Sequence, residues 1–228
     1  MDRRLFLALS MLMPAVGAAG IRDWFQPASG TESQAAALRE LLSQGSVQAV
    51  TLLGRTDGYF ANPRVRIPLP ENLQRIERSL RRFGQGELAD EFVLSLNRAA
   101  ETAAPEAKAV FLDVVRGLSL RDAVAIVRGP DDAATRYLRL HADSTLTSRF
   151  LPIVARATEQ VGVTARYKKF TRRAAFAGGA LDLSGFDLDN YVTQRALDGL
   201  FLLIADEEQR IRRDPAARTT ELLRRVFK

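Results

Sequence analysis

The sequence has 228 residues, with 33 lysines and arginines against 27 aspartates and glutamates, a formal net charge of +6. It contains no cysteine and a single histidine, which excludes disulfides, thiolate chemistry and metal sites built from several histidines. Apolar residues make up 46% of the chain, enough to fill a core, so a wholly disordered protein is also excluded.

Residues 1–19 have the order of features typical of a cleavable signal peptide. Two arginines precede a short apolar run, and the small residues near Ala18 provide a cleavage site. The segment Arg3–Leu7 also resembles the twin-arginine export signal, although Asp2 stands where that signal usually has Ser or Thr, so both export routes stay open. We therefore expect a periplasmic protein that is soluble once the leader is removed.

Apolar side chains three and four residues apart predict helices along most of the remaining chain. The first helix follows a lead-in at residues 20–34 and has a break or bend at Gly45, and Pro70 begins the second. The second helix is predicted to bury a stripe of four apolar residues, Leu73, Ile76, Leu80 and Phe83.

Later helices are predicted from the proline, glycine and acidic residues at their ends. Pro105 separates a third helix from a fourth, and a helix capped by Asp131 and Asp132 runs through Leu140. Further helices follow over 144–161, 164–176 and 189–212, and the last begins at Thr219 or Thr220. Together these elements predict an all-α fold, a single compact orthogonal bundle of nine to ten helices over residues 35–228.

Two segments lack helical periodicity, residues 54–69 and residues 178–188. Apolar residues alternate with other residues at 65–69 in the first segment and at 181–183 in the second. A short two-stranded β pairing of these segments is one interpretation, and loops packed by their own apolar side chains are the other. Long irregular connections inside a compact domain are more often functional than short ones, so both segments are of interest.

Several sequence blocks together resemble an uncharacterised bacterial family, domain of unknown function 4197. The resemblance extends from near residue 35 to the C-terminus, and the combination of blocks is more specific than any one of them. It implies a mostly helical, exported bacterial protein and assigns no activity, cofactor or catalytic residue. The blocks are Asp57–Phe60 with Asn62–Pro63 and Ile67–Pro70, Ser95–Glu101, Gly129–Thr135, Tyr191–Thr193 with Ala196–Phe201, and Asp214–Thr220.

Asn97, Arg98 and Glu101 are polar residues within a helix that otherwise has a buried pattern. Such residues can line a ligand pocket or form an internal hydrogen-bonded network. The structural alternative is an ion pair from Arg98 to Glu101 or to another helix. We retain all three residues as candidate ligand contacts.

Arg218 and Thr219, with Thr220, form a second candidate ligand site at the start of the last helix. A guanidinium, hydroxyl groups and free backbone N–H groups can together bind an anion. The alternative is an N-cap beside a solvated arginine.

Few residues could support catalysis. His141 is followed by Asp143 and Ser144, but sequence neighbours rarely provide the geometry of a catalytic triad, and a surface histidine near a helix end is the alternative. Glu208 and Arg212 have the i,i+4 spacing of a helical ion pair. We predict no catalytic residue, no metal and no cofactor.

Basic residues form two clusters at helical spacing. In an exported protein the available anions include phospholipid and lipopolysaccharide head groups, so contact with an anionic surface is one interpretation and a solvated helix face is the other. Export argues against nucleic acid. The clusters are Arg75, Arg78 and Arg82, and Lys168, Lys169, Arg172 and Arg173.

The leading hypothesis from the sequence is a non-catalytic periplasmic protein that binds a ligand, a lipid or an envelope protein. A hydrolase that uses carboxylates, or a serine with His141, is the alternative. A protein that docks on anionic membrane surfaces through its basic clusters is a second alternative. Peripheral membrane contact and either a monomer or a homodimer are compatible with the sequence, and no nucleic acid partner is expected.

Overall fold

The computed structural model describes residues 30–176 and 186–228, and all regular elements in these ranges are helical, which confirms the all-α prediction. The predicted signal peptide and the alternating residues 181–183 lie outside the described ranges. A short 3-10 turn occupies Pro215–Ala217. The α-helices are α1 (Gly30–Leu53), α2 (Glu71–Arg82), α3 (Gly86–Gly117), α4 (Ala123–Arg128), α5 (Ala133–Val161), α6 (Val163–Phe176), α7 (Leu188–Arg213) and α8 (Glu221–Val226).

The helix α1 is continuous through Gly45, so the break, one of the two alternatives predicted at this glycine, is wrong. Gly45 is buried against α7, where a Cβ atom would lie 3.2 Å from Cγ2 of Ile204. The missing side chain therefore lets the two helices approach each other closely. Here glycine marks a helix contact rather than a helix end.

The predicted third and fourth helices are one helix, α3, with Pro105 in its interior. Proline removes one backbone hydrogen bond from a helix, but strong packing on both sides can carry the helix across it. The alanines around Pro105 provide that packing, because Ala103, Ala104 and Ala107 are fully buried.

The helix α5 also merges two predicted helices, the one through Leu140 and the one over 144–161. Leu138, Ala142 and Leu146 are buried at successive helical spacings across the expected gap. The apolar face is therefore uninterrupted. The described part of the chain has eight α-helices for this reason, where the sequence predicted nine to ten.

The core forms where four long helices meet. The helix α3 packs on α1, α5 and α7, and α1 and α5 also pack on α7. Phe111 of α3 meets Phe201 of α7 edge-on, with ring centroids 5.8 Å apart. The helices α2 and α6 lie on the outside of this core, against α3 and against each other.

Residues 54–69 connect α1 to α2 as turns and irregular backbone, and we call this segment the strap. It contains no strand, so the predicted β pairing has no counterpart in this part of the structure. Tyr59, Ile67 and Leu69 of the strap are buried in the core, as expected for a loop packed by its own side chains.

None of the described helices combines the length and the apolar character needed to span a bilayer.

Candidate functional site

The side chain of Asn97 binds the strap backbone. Its Oδ1 accepts a hydrogen bond from the Ile67 N–H at 2.8 Å, and its Nδ2 donates to the Ile67 carbonyl at 2.9 Å. Nδ2 also donates to the Val93 carbonyl of the same helix. Asn97 is completely buried. The primary amide therefore replaces the partners that a strand would have given Ile67.

Glu101 holds the other half of the strap. One carboxylate oxygen accepts hydrogen bonds from the N–H groups of Tyr59 and Phe60, at 3.1 and 3.0 Å. The second oxygen accepts from Arg98 at 2.5 Å, and Arg98 also donates to Asp57 at 2.7 Å. The hydrogen bonds to Glu101 and then to Asp57 raise the pKa of the Arg98 guanidinium. The predicted ion pair from Arg98 to Glu101 is present, and it serves the strap.

Tyr59 crosses the core from the strap to α7. Its hydroxyl donates to the Ala196 carbonyl at 2.8 Å, and a Cβ at Gly199 would lie 2.7 Å from its ring. Burial, together with the nearby charge of Glu101, raises the pKa of the Tyr59 phenol. The phenol is therefore a neutral, structural group.

Two further contacts fasten the outer side of the strap to α7. Arg64 forms a two-pronged ion pair with Asp206, and the Tyr191 hydroxyl donates to the Pro68 carbonyl at 2.8 Å. The structure thus brings Asn97, Arg98 and Glu101 together as predicted, but their polar atoms contact the protein's own backbone and side chains. Ligand contact by these residues stays a prediction.

Arg218 and Thr219 both contact other parts of the chain, and anion binding by them stays a prediction. Arg218 is 9% exposed, and its guanidinium donates to the carbonyls of Ile211 and Arg212 at the end of α7. The Thr219 hydroxyl accepts from Gln44 of α1 at 3.0 Å. Thr220 is the N-cap of α8, as the sequence suggested. Arg218 is therefore a buried cap for α7 and not the solvated arginine that was the alternative interpretation.

Glu208 and Arg212 form the predicted ion pair, with 2.8 Å between charged atoms. Glu208 is fully buried and accepts from the N–H groups of Ala134 and Thr135 at the start of α5. Asp132 was predicted to cap this helix, and it makes no such side-chain bond. A carboxylate from α7 therefore does the capping, which no local sequence pattern could indicate.

His141 lies in the middle of α5 and is exposed. Its ring stacks on the Tyr137 ring with centroids 4.0 Å apart, and its Nδ1 lies 2.9 Å from the Tyr137 carbonyl. Within the described ranges it has no carboxylate or serine partner. It is therefore a surface histidine, although it lies mid-helix and not near a helix end.

The helix α6 exposes cations on one side and buries aromatic rings on the other. Phe92 of α3 packs against both Tyr167 and Phe170, with centroids 5.6 Å apart in each pair. Its exposed cations number five, and the helix contains no acidic residue. These rings fix the helix to α3 and leave its charge facing solvent.

The two basic clusters lie on adjacent helices, because α2 and α6 contact each other and both pack on α3. All seven residues are exposed. Among the described residues, five of them have no ion pair or hydrogen bond. We call the seven residues the basic surface. The unpaired residues are Arg75, Arg78, Arg82, Lys168 and Arg172.

A groove of about 760 Å³ separates α6 from the start of α3 within the basic surface. Two contacts cross it. Lys169 pairs with Glu91 at 3.2 Å, and Arg173 donates to Gln85 at 2.8 Å. Lys168 and Arg172 also line the groove. Cations are the majority among the charged groups lining the groove, so the arrangement favours an anionic occupant.

The turn that ends α2 presents Phe83 to solvent. Gly84 has a φ of +71°, its N–H donates to the Arg81 carbonyl, and the Gln85 N–H donates to the Leu80 carbonyl. This is a Schellman motif, which closes a helix with glycine in the left-handed conformation. Phe83 is 67% exposed, so its predicted burial is wrong. The glycine that follows was the signal that residue 83 is outside the apolar stripe.

Comparison with the models of known protein families gives a match over most of the chain. The family model described as "Protein of unknown function (DUF4197)" matches residues 28–228, almost all of the chain. Neither the curated proteins nor the solved structures include a match.

Proposed function

The chain belongs to the DUF4197 family, whose description assigns no function, and from that premise we propose that it is an exported, non-catalytic protein that binds an anionic partner through its basic surface. The observation that carries this proposal is a contrast in pairing. Elsewhere the exposed arginines commonly meet a carboxylate, as Arg64 meets Asp206 and Arg149 meets Asp113. The basic surface concentrates unpaired cations instead.

The pairing pattern on α2 supports the same proposal. Arg81 is neutralised by both Glu77 and Asp90, whereas its neighbours Arg78 and Arg82 have no carboxylate partner among the described residues. Unpaired like charges repel one another and weaken the folded state. A partner that supplies negative charge removes this repulsion, so the charge pattern favours binding.

The remaining polar residues favour binding over hydrolysis. Ser–His catalysis needs a histidine oriented by a carboxylate, and His141 is instead held by the Tyr137 carbonyl. The buried carboxylates Glu101 and Glu208 each bind two backbone N–H groups and one arginine. Such saturated carboxylates are poor candidates for acid–base chemistry.

Export is the part of the proposal that rests on sequence alone. The features of residues 1–19 support cleavage by a signal peptidase. Cell fractionation with N-terminal sequencing of the purified protein tests it. An N-terminus near residue 19 or 20 in the periplasmic fraction is expected, and an intact Met1 in the cytoplasm would contradict it.

The binding proposal is tested on a heparin column, heparin being a soluble polyanion. A protein of net charge +6 is retained by many anionic matrices, so retention alone decides nothing. The test variant is the triple substitution Arg78→Gln, Lys168→Gln, Arg172→Gln. Its matched control is the triple substitution Lys108→Gln, Arg121→Gln, Arg128→Gln, which removes three exposed charges outside the basic surface.

Both variants lose the same charge, so position is the only difference between them. We expect the test variant to elute at clearly lower salt than the control, because closely spaced cations act together on one polyanion. Equal elution of the two variants would show that only net charge matters. That result would refute the proposed basic surface.

A further inference from the structure

One exposed aromatic side chain adjoins the basic surface. The described residues include three large apolar side chains with substantial exposure, Leu52, Phe83 and Leu140. Leu52 is 36% exposed and Leu140 lies on α5, outside the basic surface. Phe83 directly follows Arg82 and directly precedes Gly84 and Gln85 of the groove wall. An exposed apolar ring thus directly follows the unpaired Arg82 and adjoins the groove that Lys168 and Arg172 line.

The position of Phe83 is fixed by the backbone. It is the C-cap of α2, and the two Schellman hydrogen bonds immediately after it define the turn. The buried residues Leu73, Ile76 and Leu80 anchor the helix against the rest of the protein. The ring is therefore presented at the outer end of the helix.

We propose that the anionic partner is a phospholipid bilayer, on which the basic surface contacts the head groups while Phe83 inserts into the boundary between head groups and acyl chains. This inference rests on the proposed function and specifies its partner. Stable peripheral attachment to a membrane generally takes two signals, and a basic patch with an apolar anchor is such a combination.

The two signals fit the two kinds of side chain that the surface exposes. Each cation near an anionic leaflet is attracted to it, and the attraction falls off within a Debye length. A phenyl ring gains free energy only where water is excluded. A soluble polyanion satisfies the cations and leaves Phe83 in water, whereas an anionic bilayer satisfies both.

Vesicle binding by the mature protein tests this inference. The probes are vesicles of phosphatidylcholine alone and vesicles of equal parts phosphatidylcholine and phosphatidylglycerol. We expect binding to the anionic vesicles only, with an affinity that falls steeply as salt is raised. Phe83→Ala is expected to weaken that affinity about tenfold, the loss of a partly buried aromatic ring. Leu140→Ala is the matched control and is expected to leave affinity unchanged.

Insertion has its own readout. Trp24 is the sequence's one tryptophan, so the double variant Trp24→Phe, Phe83→Trp reports on position 83 alone. We expect its emission to shift to the blue on anionic vesicles and to be quenched by acyl chains that carry bromine. The double variant Trp24→Phe, Leu140→Trp is expected to show neither change.

The outcomes separate the two proposals. Suppose that the basic-surface variant and its control elute differently from heparin, but that the protein does not bind anionic vesicles. The proposed function is then retained, and the proposal that its partner is a bilayer is overturned. Vesicle binding with solvent-exposed emission from Trp at position 83, and with no effect of Phe83→Ala, overturns insertion. Identical behaviour of the two charge variants on heparin overturns the proposed function itself.

Discussion

Polar and charged residues have opposite environments in the strap and on the basic surface. In the strap region, Asn97, Arg98 and Glu101 meet backbone groups and one another, and Asn97 and Glu101 are almost entirely removed from water. On the basic surface, Arg78 and Arg172 extend into solvent without a partner in the described chain. Buried polar groups must be paired, so their presence indicates structure, whereas an exposed charge can contact water and needs no partner within the protein.

The contrast explains why polar residues in a buried helix do not by themselves identify a ligand site, since internal contacts also account for them. Asn97 was selected because it interrupts an apolar pattern. Its partner, the Ile67 peptide, is 30 residues earlier in the chain and has no sequence feature that identifies it. The basic clusters need no partner to be recognised, because their helical spacing alone places them on solvent-facing sides.

The strongest test of the strap is Asn97→Ala. It leaves the N–H and the carbonyl of Ile67 buried without partners, so we expect the free energy of unfolding to fall by about 3 kcal/mol. Urea denaturation measures it. Gln194→Ala, which removes an exposed amide, is the control and should cost less than about 0.5 kcal/mol. Similar small losses in both variants would show that the strap is not held by Asn97.

The second test is Tyr59→Phe, which removes the hydroxyl bonded to the Ala196 carbonyl. Near neutral pH we expect a loss of about 1 kcal/mol. The folded state holds the Tyr59 proton more tightly than the unfolded state, whose phenol titrates near pH 10. The contribution of this proton to the free energy of unfolding of the wild type is therefore fully present below pH 10. It falls by about 1.4 kcal/mol per pH unit above pH 10.

The variant lacks that pH-dependent contribution. The stability gap between wild type and Tyr59→Phe should therefore close near pH 11, where about one pH unit of titration offsets the hydroxyl bond. Chemical denaturation at pH 8, 10 and about 11 measures the gap. A gap that stays constant over this range would mean that the phenol titrates normally.

The third test moves to the basic surface and concerns Gly84. Alanine there meets no neighbouring atom but must adopt the positive φ of +71°, so we expect a loss of about 1 kcal/mol. Gly117→Ala is the control, because it also has open space and no positive φ. Thermal unfolding of the two variants should differ, and equal midpoints would contradict the Schellman turn.

The smallest effect is expected for the charge variant Arg78→Gln, Lys168→Gln, Arg172→Gln. These side chains have no partners to lose, so the free energy of unfolding should stay within about 0.5 kcal/mol of wild type. Urea denaturation checks this value. A large loss of stability would indicate a structural role for these cations and would remove the distinction between the two regions.

Much of the fold follows from periodicity. The all-α class is confirmed. The structure also agrees closely with the helices predicted over 164–176 and 189–212, which are α6 and α7, and with the predicted start of the last helix, α8. The errors came from residues whose effect depends on their surroundings. Gly45 and Pro105 usually interrupt helices, and here helix packing, which a single sequence does not specify, decided otherwise.

The candidate site was predictable to the extent that it is local. The helical spacing within each basic cluster predicts that its residues share one solvent-facing side of a helix. The two clusters lie on adjacent helices only because of how α2 and α6 pack on α3, which the spacing does not indicate. Phe83 was assigned to the apolar stripe because its spacing from Leu80 fits a helix. The helix ends one residue earlier, and Gly84 was the available clue.

The helix α3 contacts the strap and the basic surface at different positions along its length. Its 32 residues make it about 48 Å long, with the strap contacts in its middle and the basic surface at its beginning. The helix α2 packs on α3 and α6, and α6 packs on α3, α5 and α2, whereas α1 and α7 contact the long core helices more extensively. Local opening of α2 and α6 should therefore require less free energy, and their amide protons should exchange with solvent sooner than those of α1 and α7. The surface can then adapt its shape to a partner while the centre of the molecule stays closed.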